Sequence, residues 1–454
     1  MLRFFIILTL FLTFTYSNEF GKGLVFDDEE YENTPKSATL ISRDYQVLPS
    51  SFSLKKFAPK AKSQGSTGTC TAWATSYGAR TILENISKNS NIAFSPSYIY
   101  NQIRTKSGCD GGTSIAKALR VMKKQGVATF SSFGFDCFKQ ITQKYKSEAL
   151  KYKIKDYKIL FWLNDTNKIL PVKKALSQNK PVIIGMKTPN SFHRVKELWT
   201  PKPNEYYKQN LGGHAMVVVG YDNNKFGGSF LLLNSWGRNW GVDGFAFIKY
   251  SDFSHFVKYA YEMIPNPNPK KKLKIAGEIK FKDSNGNIMK ATYNKNLQIY
   301  EMNKPYYSGT KFQFFINNIQ PIYLYAFGFD STQKTFTIFP HNRKISPFLG
   351  YKNSTIAFPD EKHYIKMDNT KGEDYFTILY SIEKLNIKKI KWLIENSQGD
   401  FKQRLKKALS KSSINSENII FSKNKIEFKY HSTRSIRRVK KESVVAVVVK
   451  FEHR

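Results

Sequence analysis

A cysteine early in the chain lies in a context suited to nucleophilic chemistry. Cys70 follows Gln64 by six residues in the segment QGSTGTCTAW, residues 64–73. If a helix begins at the cysteine, its N-terminus would lower the thiol pKa and favour the thiolate. The Gln64 amide and the Cys70 backbone N–H could then both stabilise a developing oxyanion. Such a nucleophile also needs a base.

The candidate base lies 144 residues further on. His214 opens a short apolar run that is typical of a buried strand, residues 212–221. A second apolar run, residues 231–233, ends in Asn234 and is followed by Trp236 and glycine-rich turns. An asparagine placed there could orient the histidine ring as the third member of a catalytic set.

Four motifs in this order resemble those of the papain-like cysteine peptidases: QGxxGxC, GCDGG at 108–112, GHA at 213–215 and NSWGxxWG at 234–241. The resemblance covers residues 48–264. Taken alone, a cysteine is usually a small buried apolar residue and a histidine before a strand is usually structural. The whole set favours catalysis, because a core does not need this combination.

The resemblance implies a mechanism as well as a fold. Cys70 would attack the scissile carbonyl, His214 would serve as its base and then as imidazolium, Asn234 would fix the ring, and Gln64 would donate to the oxyanion. No cofactor is implied. The sequence also contains no Cys-x-x-Cys pair, His-Glu-x-x-His motif or acidic calcium loop, so we expect no metal site. The other six histidines lie in polar or mixed segments and are expected to be ordinary surface residues, at 193, 255, 341, 363, 431 and 453.

The same resemblance assigns residues to substrate binding. The backbone of Gly111 and Gly112 would hydrogen-bond an extended peptide, as an added strand does. Trp236 would line the substrate site and shield the hydrogen bond between Asn234 and His214.

The other two cysteines are Cys109 and Cys137. The resemblance implies a disulfide at Cys109, but the usual partner position just before the nucleophile is Thr67 here. Cys137 is the remaining partner, and the bridge would add about 3 kcal/mol in the chain-entropy model. Two reduced, buried cysteines remain the alternative.

The N-terminal 17 residues have one positive charge, an apolar run and small residues, which is typical of a secretory signal peptide. The run is too short and too early for a convincing membrane span, and no other segment approaches the length that a span needs. We expect a soluble, exported protein without a transmembrane anchor, located in the periplasm, at the surface or outside a bacterium. The sequence leaves its oligomeric state open.

Composition predicts packed domains with a strong positive charge. The 454 residues are 41% hydrophobic and 15% aromatic, and the formal net charge is +37. Lysine and arginine are spread along the chain without a recognisable nucleic-acid module, so we expect no specific nucleic-acid partner. Protein or peptide substrates are the expected partners, and anionic cell-envelope polymers are a further candidate.

Residues 18–46 are polar and include an acidic cluster at 27–30, which suggests a flexible leader. About thirty residues are too few to build the helical propeptide domain of roughly a hundred residues that many papain-like enzymes carry. We therefore do not expect autoinhibition by a folded propeptide.

The expected fold is α+β: a papain-like two-lobe catalytic domain at 47–264, with a helical lobe and a sheet lobe, followed by a β-rich C-terminal domain. Helices are predicted at 71–85, after Ser95, and at 114–125, whereas short apolar strands dominate from residue 181 onward. A proline- and lysine-rich linker at 265–272 separates the two parts.

Beyond the linker, aromatic and β-branched strands predict a β-rich accessory domain at 273–386. The segment at about 300–382 is similar to the 4384 family of bacterial domains of unknown function. Residues 387–454 are predicted to form a basic α/β extension, which could equally be a third domain. Within it the sequence predicts a helix at 388–410, strands at 419–430 and 443–451, and a solvated basic turn at 434–441.

The sequence thus predicts a secreted cysteine endopeptidase. One alternative is a non-catalytic envelope-binding or adhesion protein on a peptidase-like scaffold. Another is a cysteine acyl transferase or cell-wall peptide hydrolase with the same residues.

Overall fold

A computed structural model describes residues 20–267, 272–435 and 443–454. The expected signal peptide at 1–17 lies outside the described residues. So do the centre of the 265–272 linker and most of the basic turn expected at 434–441. Within the described part of the chain, no helix is long and apolar enough to cross a membrane.

Residues 20–46 are not the flexible leader that their polarity suggested, because they form short helices packed against the rest of the protein. Asp27 caps the first helix by accepting a hydrogen bond from the Glu30 N–H at 2.9 Å. The acidic cluster is therefore a helix start, where carboxylates are favourable. The two helices are α1 (Asp28–Asn33) and α2 (Ser42–Gln46).

The first lobe of the next region is helical, as predicted. One continuous helix begins at Cys70, and its middle part is a wider π-helix. Ser95 and Ser114 cap two further helices by accepting from the N–H groups of Tyr98 and Lys117, which confirms the predicted helix starts. The segments are α3 (Cys70–Ala72), the π-helix Trp73–Arg80, α4 (Thr81–Lys88), α5 (Pro96–Ile103), α6 (Ile115–Lys124), α7 (Phe130–Phe133) and α8 (Gln143–Ala149).

The second lobe is an eight-stranded sheet in the order β2-β8-β3-β5-β6-β7-β4, with β1 paired to β5. Its central strands are fully buried, which explains their continuous apolar runs. Strand β2 was not predicted, since its sequence IKDYKI has no clear alternation. The elements are β1 (Ser51–Ser53), β2 (Ile154–Ile159), α9 (Ile169–Ser177), β3 (Val182–Thr188), β4 (Leu198–Trp199), β5 (Gly212–Asp222), β6 (Ser229–Leu233), β7 (Phe245–Lys249), α10 (Tyr250–Phe256) and β8 (Val257–Pro265).

The C-terminal part consists of two seven-stranded sheets and two helices. Its elements are β9 (Lys272–Asp283), β10 (Ile288–Met289), β11 (Ala291–Asn294), β12 (Ile299–Met302), β13 (Lys311–Asn318), β14 (Ile322–Phe329), β15 (Thr335–Phe339), β16 (Phe348–Leu349), β17 (Ser354–Phe358), β18 (Ile365–Lys366), β19 (Gly372–Ser381), α11 (Ile387–Glu395), α12 (Phe401–Leu409), β20 (Ile419–Phe421), β21 (Ile426–Ser435) and β22 (Val444–His453). Short 3₁₀ turns complete the described elements, at Lys55–Phe57, Leu150–Tyr152, Asn190–Arg194, Pro203–Tyr207, Lys225–Gly227, Ser410–Ser412 and Ser416–Asn418.

The two sheets stack through phenylalanine side chains. Phe281 of β9 contacts Phe376 of β19 and Phe451 of β22, with ring centroids 5.7 and 5.2 Å apart. Phe401 of α12 stacks on Phe329 of β14, so the helices cover the second sheet. Strand β22 pairs with β12 and β19, and β21 pairs with β9, so residues 387–454 share both sheets with residues 273–386. We call residues 272–454 the accessory domain.

Candidate active site

The predicted nucleophile lies at the start of the long helix of the first lobe. Cys70 is the first residue of α3 and is fully buried, and it is the free cysteine of the chain. The helix then widens into the π-helix at Trp73–Arg80, a geometry that occurs frequently at functional sites. The thiol thus lies at a helix N-terminus, as the sequence predicted.

The predicted base and its orienting amide come from neighbouring strands of the second lobe. His214 lies on β5, and Asn234 follows the end of β6, which pairs with β5. Their side chains are hydrogen-bonded, with 2.7 Å between His214 Nε2 and Asn234 Oδ1. The other ring nitrogen, Nδ1, is buried and has no hydrogen-bond partner among the described residues.

Gln64 is held in place by a serine for which the sequence predicted no role. Ser235 donates its hydroxyl to Gln64 Oε1 at 2.6 Å, and its carbonyl accepts the Gln64 N–H at 2.8 Å. Ser235 N–H also donates to Asn234 Oδ1. The only sequence signal for this residue was its place within the NSWG motif. One residue therefore positions both amide side chains of the site.

Trp236 is buried beside the candidate base, as the resemblance implied. Its ring stacks on His214 with 4.4 Å between centroids. His193 also stacks on Trp236, at 4.8 Å. The sequence placed His193 among ordinary surface residues, and that interpretation was wrong because its polar segment folds against the site. It was also wrong for His453, which is buried in β22.

The leader crosses this site. We call Phe20–Val25 the cleft segment. The N–H of Gly23 donates to Cys70 Sγ at 3.3 Å, and Gln64 Nε2 donates to the carbonyl of Gly21 at 3.0 Å. Phe20 stacks on Trp236 at 5.1 Å. The groups expected to meet a substrate carbonyl and the attacking thiol therefore both contact the leader.

Glycine is required where the cleft segment passes the backbone of residues 67–68 in the first lobe. A Cβ atom on Gly21 would overlap the carbonyl of Thr67, and one on Gly23 would overlap the carbonyl of Gly68. Since these neighbours are backbone atoms, they cannot move aside as a flexible side chain would. Only an unsubstituted backbone fits at these two positions.

The two glycines predicted to bind substrate, Gly111 and Gly112, lie directly before a residue that pairs with the leader. Thr113 N–H donates to the Gly23 carbonyl at 2.8 Å, and Thr113 carbonyl accepts the Val25 N–H at 3.0 Å. Gly112 packs against the same segment, where a Cβ would approach the Gly23 oxygen to 2.9 Å. The carbonyl of Gly111 accepts the Tyr100 hydroxyl. A role for Gly111 and Gly112 in binding substrate stays a prediction.

Burial under the leader keeps the two reactive groups neutral. It raises the pKa of the Cys70 thiol, although the amides of Ala215 and Gly23 oppose this shift. It lowers the pKa of His214 to about 3. The hydrogen bond from His214 Nε2–H to Asn234 Oδ1 opposes this shift, and the positive charge of Lys22 adds to it. The expected lowered thiol pKa is therefore not found with the leader in place, because desolvation outweighs the helix N-terminus.

Cys109 and Cys137 form a disulfide, with their Cα atoms 5.5 Å apart. This confirms the pairing that the sequence left open. The bridge connects the loop before Gly111 to the loop after α7. The Cys109 carbonyl also accepts a hydrogen bond from the Gly68 N–H. Among the described residues, no group of three or more His, Cys, Asp or Glu side chains is placed to hold a metal ion.

Comparisons with known proteins agree with this geometry. Residues 48–263 match the papain family of cysteine proteases, and residues 305–384 match DUF4384, a domain of unknown function. An uncharacterized peptidase C1-like protein of Acanthamoeba polyphaga mimivirus is 28% identical over 218 residues, covering 44% of this chain and 69% of its own. A cysteine protease of Blomia tropicalis is 24% identical over 253 residues, covering 53% and 73%.

Solved structures show similarity over the same half of the chain. Xylellain, a cysteine protease from Xylella fastidiosa, has 23% sequence identity and a TM-score of 0.46, covering 55% of this chain and 96% of its own. Procathepsin L 3 of Tenebrio molitor has 18% identity and a TM-score of 0.43, covering 53% and 79%. With the motifs, the two lobes and the family match in agreement, the chain contains a papain-family cysteine peptidase domain followed by a DUF4384 domain.

Proposed function

We propose that this chain is an exported cysteine endopeptidase that its leader holds in a latent form. The observation that carries the proposal is the pair of contacts at the cleft segment, where Gly23 covers the thiol of Cys70 and Gly21 takes the amide of Gln64. Catalysis would begin when the leader leaves. The Cys109–Cys137 disulfide supports export, because disulfides persist in oxidising compartments.

The exposed site would act through the residues already described. Once water reaches Cys70 and His214, the thiol proton passes to His214 Nδ1 and the thiolate attacks the scissile carbonyl. Gln64 donates to the oxyanion, and the imidazolium then protonates the leaving amine. Asn234 keeps Nδ1 directed at the reaction by holding Nε2. Water would release the acyl group and restore the thiol.

The experiment uses Gly23→Ala in the full chain to open the site. Because the added methyl group would overlap the Gly68 carbonyl, the cleft segment cannot stay in place. We expect this variant to cleave a small fluorogenic peptide and to react with a peptidyl epoxide at Cys70. Adding Cys70→Ala should abolish both, His214→Ala should be nearly as damaging, and Asn234→Ala milder, because only orientation is lost.

Two results would count against the proposal. Unchanged hydrolysis by Gly23→Ala/Cys70→Ala would exclude Cys70 as the nucleophile. A well-folded Gly23→Ala variant whose thiol becomes reactive but which cleaves no peptide would favour a peptidase-like scaffold without activity. Gly286→Ala is a suitable folding control, because no atom lies within 4 Å of its added methyl group, although the positive φ of 82° there costs some strain.

A further inference from the structure

The second half of the leader lies between the peptidase domain and the accessory domain. We call residues 35–44 the strap. Lys36 forms parallel bridges with Ile159 of β2 on one side and with Ile345 of the accessory domain on the other. Its N–H donates to the Lys344 carbonyl at 2.6 Å, and its carbonyl accepts the Ser346 N–H at 2.7 Å. Through Lys36 the strap is therefore hydrogen-bonded to the accessory domain and paired with an edge strand of the peptidase domain.

The far end of the strap makes a second set of contacts with the accessory domain. Ile41 N–H donates to the Thr355 carbonyl at 3.0 Å, and the Thr355 N–H donates to Asp44 Oδ2 at 2.6 Å. Ser42 donates both its N–H and its hydroxyl to Glu361 Oε2, each at 2.7 Å. Residues 344–361 of the accessory domain thus contact the strap at both ends.

A buried charged cluster connects the three segments. Lys158 of β2 and Glu262 of β8 are fully buried, with 3.7 Å between Nζ and Oε1. Ser37 of the strap accepts a hydrogen bond from Lys158 Nζ at 3.0 Å, and Tyr351 of the accessory domain donates to Glu262 Oε2 at 2.7 Å. A buried charge that loses a partner is strongly destabilising. The strap therefore supplies a hydrogen-bond partner for Lys158, and the accessory domain supplies one for Glu262, within the same buried cluster.

We propose that the accessory domain holds the leader in the cleft and so keeps the peptidase latent. This inference rests on the proposed function and gives the DUF4384-containing region a role in it. The strap continues through α1 into the cleft segment, so its contacts with residues 344–361 oppose departure of the whole leader. Docking of the leader and docking of the accessory domain are therefore coupled. By linkage, a factor that displaces the accessory domain favours the open site, and a factor that displaces the leader weakens docking of the accessory domain.

The test changes only residues of the accessory domain and measures the reactivity of the Cys70 thiol. Tyr351→Phe/Glu361→Ala in the full chain removes one hydrogen-bond donor to Glu262 and one acceptor for Ser42. We expect alkylation of Cys70 by iodoacetamide and kcat/KM for a small peptide each to rise about tenfold. Hydrogen exchange of the amides at 20–34 should accelerate in parallel. Glu417→Ala is the matched control, because that carboxylate contacts its neighbour Asn415.

A second variant approaches the junction from the leader. Ile41 has φ −64°, which proline also adopts, so Ile41→Pro removes the N–H that bonds Thr355 without changing the backbone angle. It should have the same effect as the double variant. Gly23→Ala supplies the fully open reference.

The alkylation rates decide this inference independently of activity. Faster alkylation in both junction variants, and unchanged alkylation in Glu417→Ala, would support it. Wild-type alkylation rates in both junction variants, beside a fast Gly23→Ala, would overturn it and leave the peptidase proposal intact. Fast alkylation without hydrolysis in every open variant would overturn the peptidase proposal and leave the holding role intact.

Discussion

Cys70 and His214 hold two protons in the closed site, one on sulfur and one on the ring, because burial favours the neutral thiol and the neutral imidazole. The thiolate–imidazolium pair that would attack a substrate also holds two protons, both on the ring. Leader departure would therefore move a proton from sulfur to nitrogen without taking one from solvent. Because the proton count of this pair does not change, the pair should not make opening of the site depend on pH near neutrality.

Gln64→Ala, made in the open Gly23→Ala background, should lower kcat by about 10²-fold with little change in KM. An oxyanion donor acts mainly in the transition state, so its loss barely affects ground-state binding. Ser235→Ala should have a smaller effect in the same direction, because Gln64 would keep its amide and lose one partner that orients it. Steady-state kinetics separate the two parameters. A change confined to KM would instead place Gln64 in substrate binding.

Asp28 links leader docking to pH. Its carboxylate accepts hydrogen bonds from Lys258 and Tyr259 of β8. Burial opposes ionisation, yet these partners hold the pKa of Asp28 below its usual value. A carboxylate whose pKa is lowered on docking stabilises the docked state above its free pKa of about 3.9, and the contribution is lost as pH falls through the lowered value. We therefore expect the leader to loosen in acid.

Hydrogen-exchange protection of the amides at 28–34, measured from pH 7 to pH 3 against the unfolded chain at each pH, checks this. Asp28→Asn should dock less tightly at neutral pH and should lose less protection on acidification. The neighbouring, exposed Glu29→Gln should retain the wild-type profile. An equal acid loss in wild type and Asp28→Asn would place the responsible group elsewhere.

At the scale of elements, α1 is the leader's attachment to the peptidase domain. Tyr31 is fully buried, donates its hydroxyl to the Phe161 carbonyl at 2.7 Å and accepts the Ala260 N–H at 3.1 Å. Tyr31→Phe would leave two buried backbone groups without this partner and should weaken leader docking by about 1–3 kcal/mol. Cys70 alkylation should accelerate accordingly. The exposed Tyr207→Phe is the control, and equal rates in the two variants would contradict a holding role for α1.

Elements with a local signature were predictable, and those defined by distant contacts were not. Ser95-Pro96 predicted a helix start because a cap and its helix are adjacent in sequence. The apolar run after His214 predicted β5 for the same reason. The predicted helix at 388–410 is instead two helices, because the chain turns at Gly399 with φ of 106°.

The candidate residues were likewise predictable because each lies within a short motif. The leader's position was not, since Gly21 and Gly23 suggest flexibility in a polar sequence and are in fact needed for close approach to the backbone at 67–68. His193 was missed for a similar reason, because only folding brings it to Trp236. Spatial neighbours that no sequence motif connects cannot be predicted from the sequence alone.

At the scale of the molecule, every residue with a proposed catalytic role precedes the 265–272 linker. A chain that ends near Pro265 and carries Gly23→Ala should therefore retain small-peptide activity, because its cleft is complete without the accessory domain. Lys158 and Glu262 would become exposed to water, which removes the cost of burying them. Comparing kcat/KM and circular dichroism of the two lengths checks this. Lost activity in a folded short chain would show that the accessory domain completes the cleft.

The basic charge of the whole chain leads to a separate expectation. With a formal net charge of +37, the full-length protein should be retained on anionic cell-envelope polymers at low salt and released at high salt. The short chain should be retained less, since many of the lysines lie beyond the linker. Sedimentation with purified envelopes at two salt concentrations measures this. Equal retention of the two lengths would remove a targeting role for the accessory domain.

At Lys36 and Ile41 the strap is bound through backbone amide and carbonyl groups, which pair with those of Lys344, Ser346 and Thr355. Every amino acid except proline offers the same pair of groups. The side chains at 36 and 41 could therefore change during evolution without loss of these hydrogen bonds, so this part of the contact would leave little trace in aligned sequences. An alanine scan of the strap would detect the side-chain contacts of Ser37, Ser42 and Asp44 but not these backbone contacts, whereas a proline scan would reveal them.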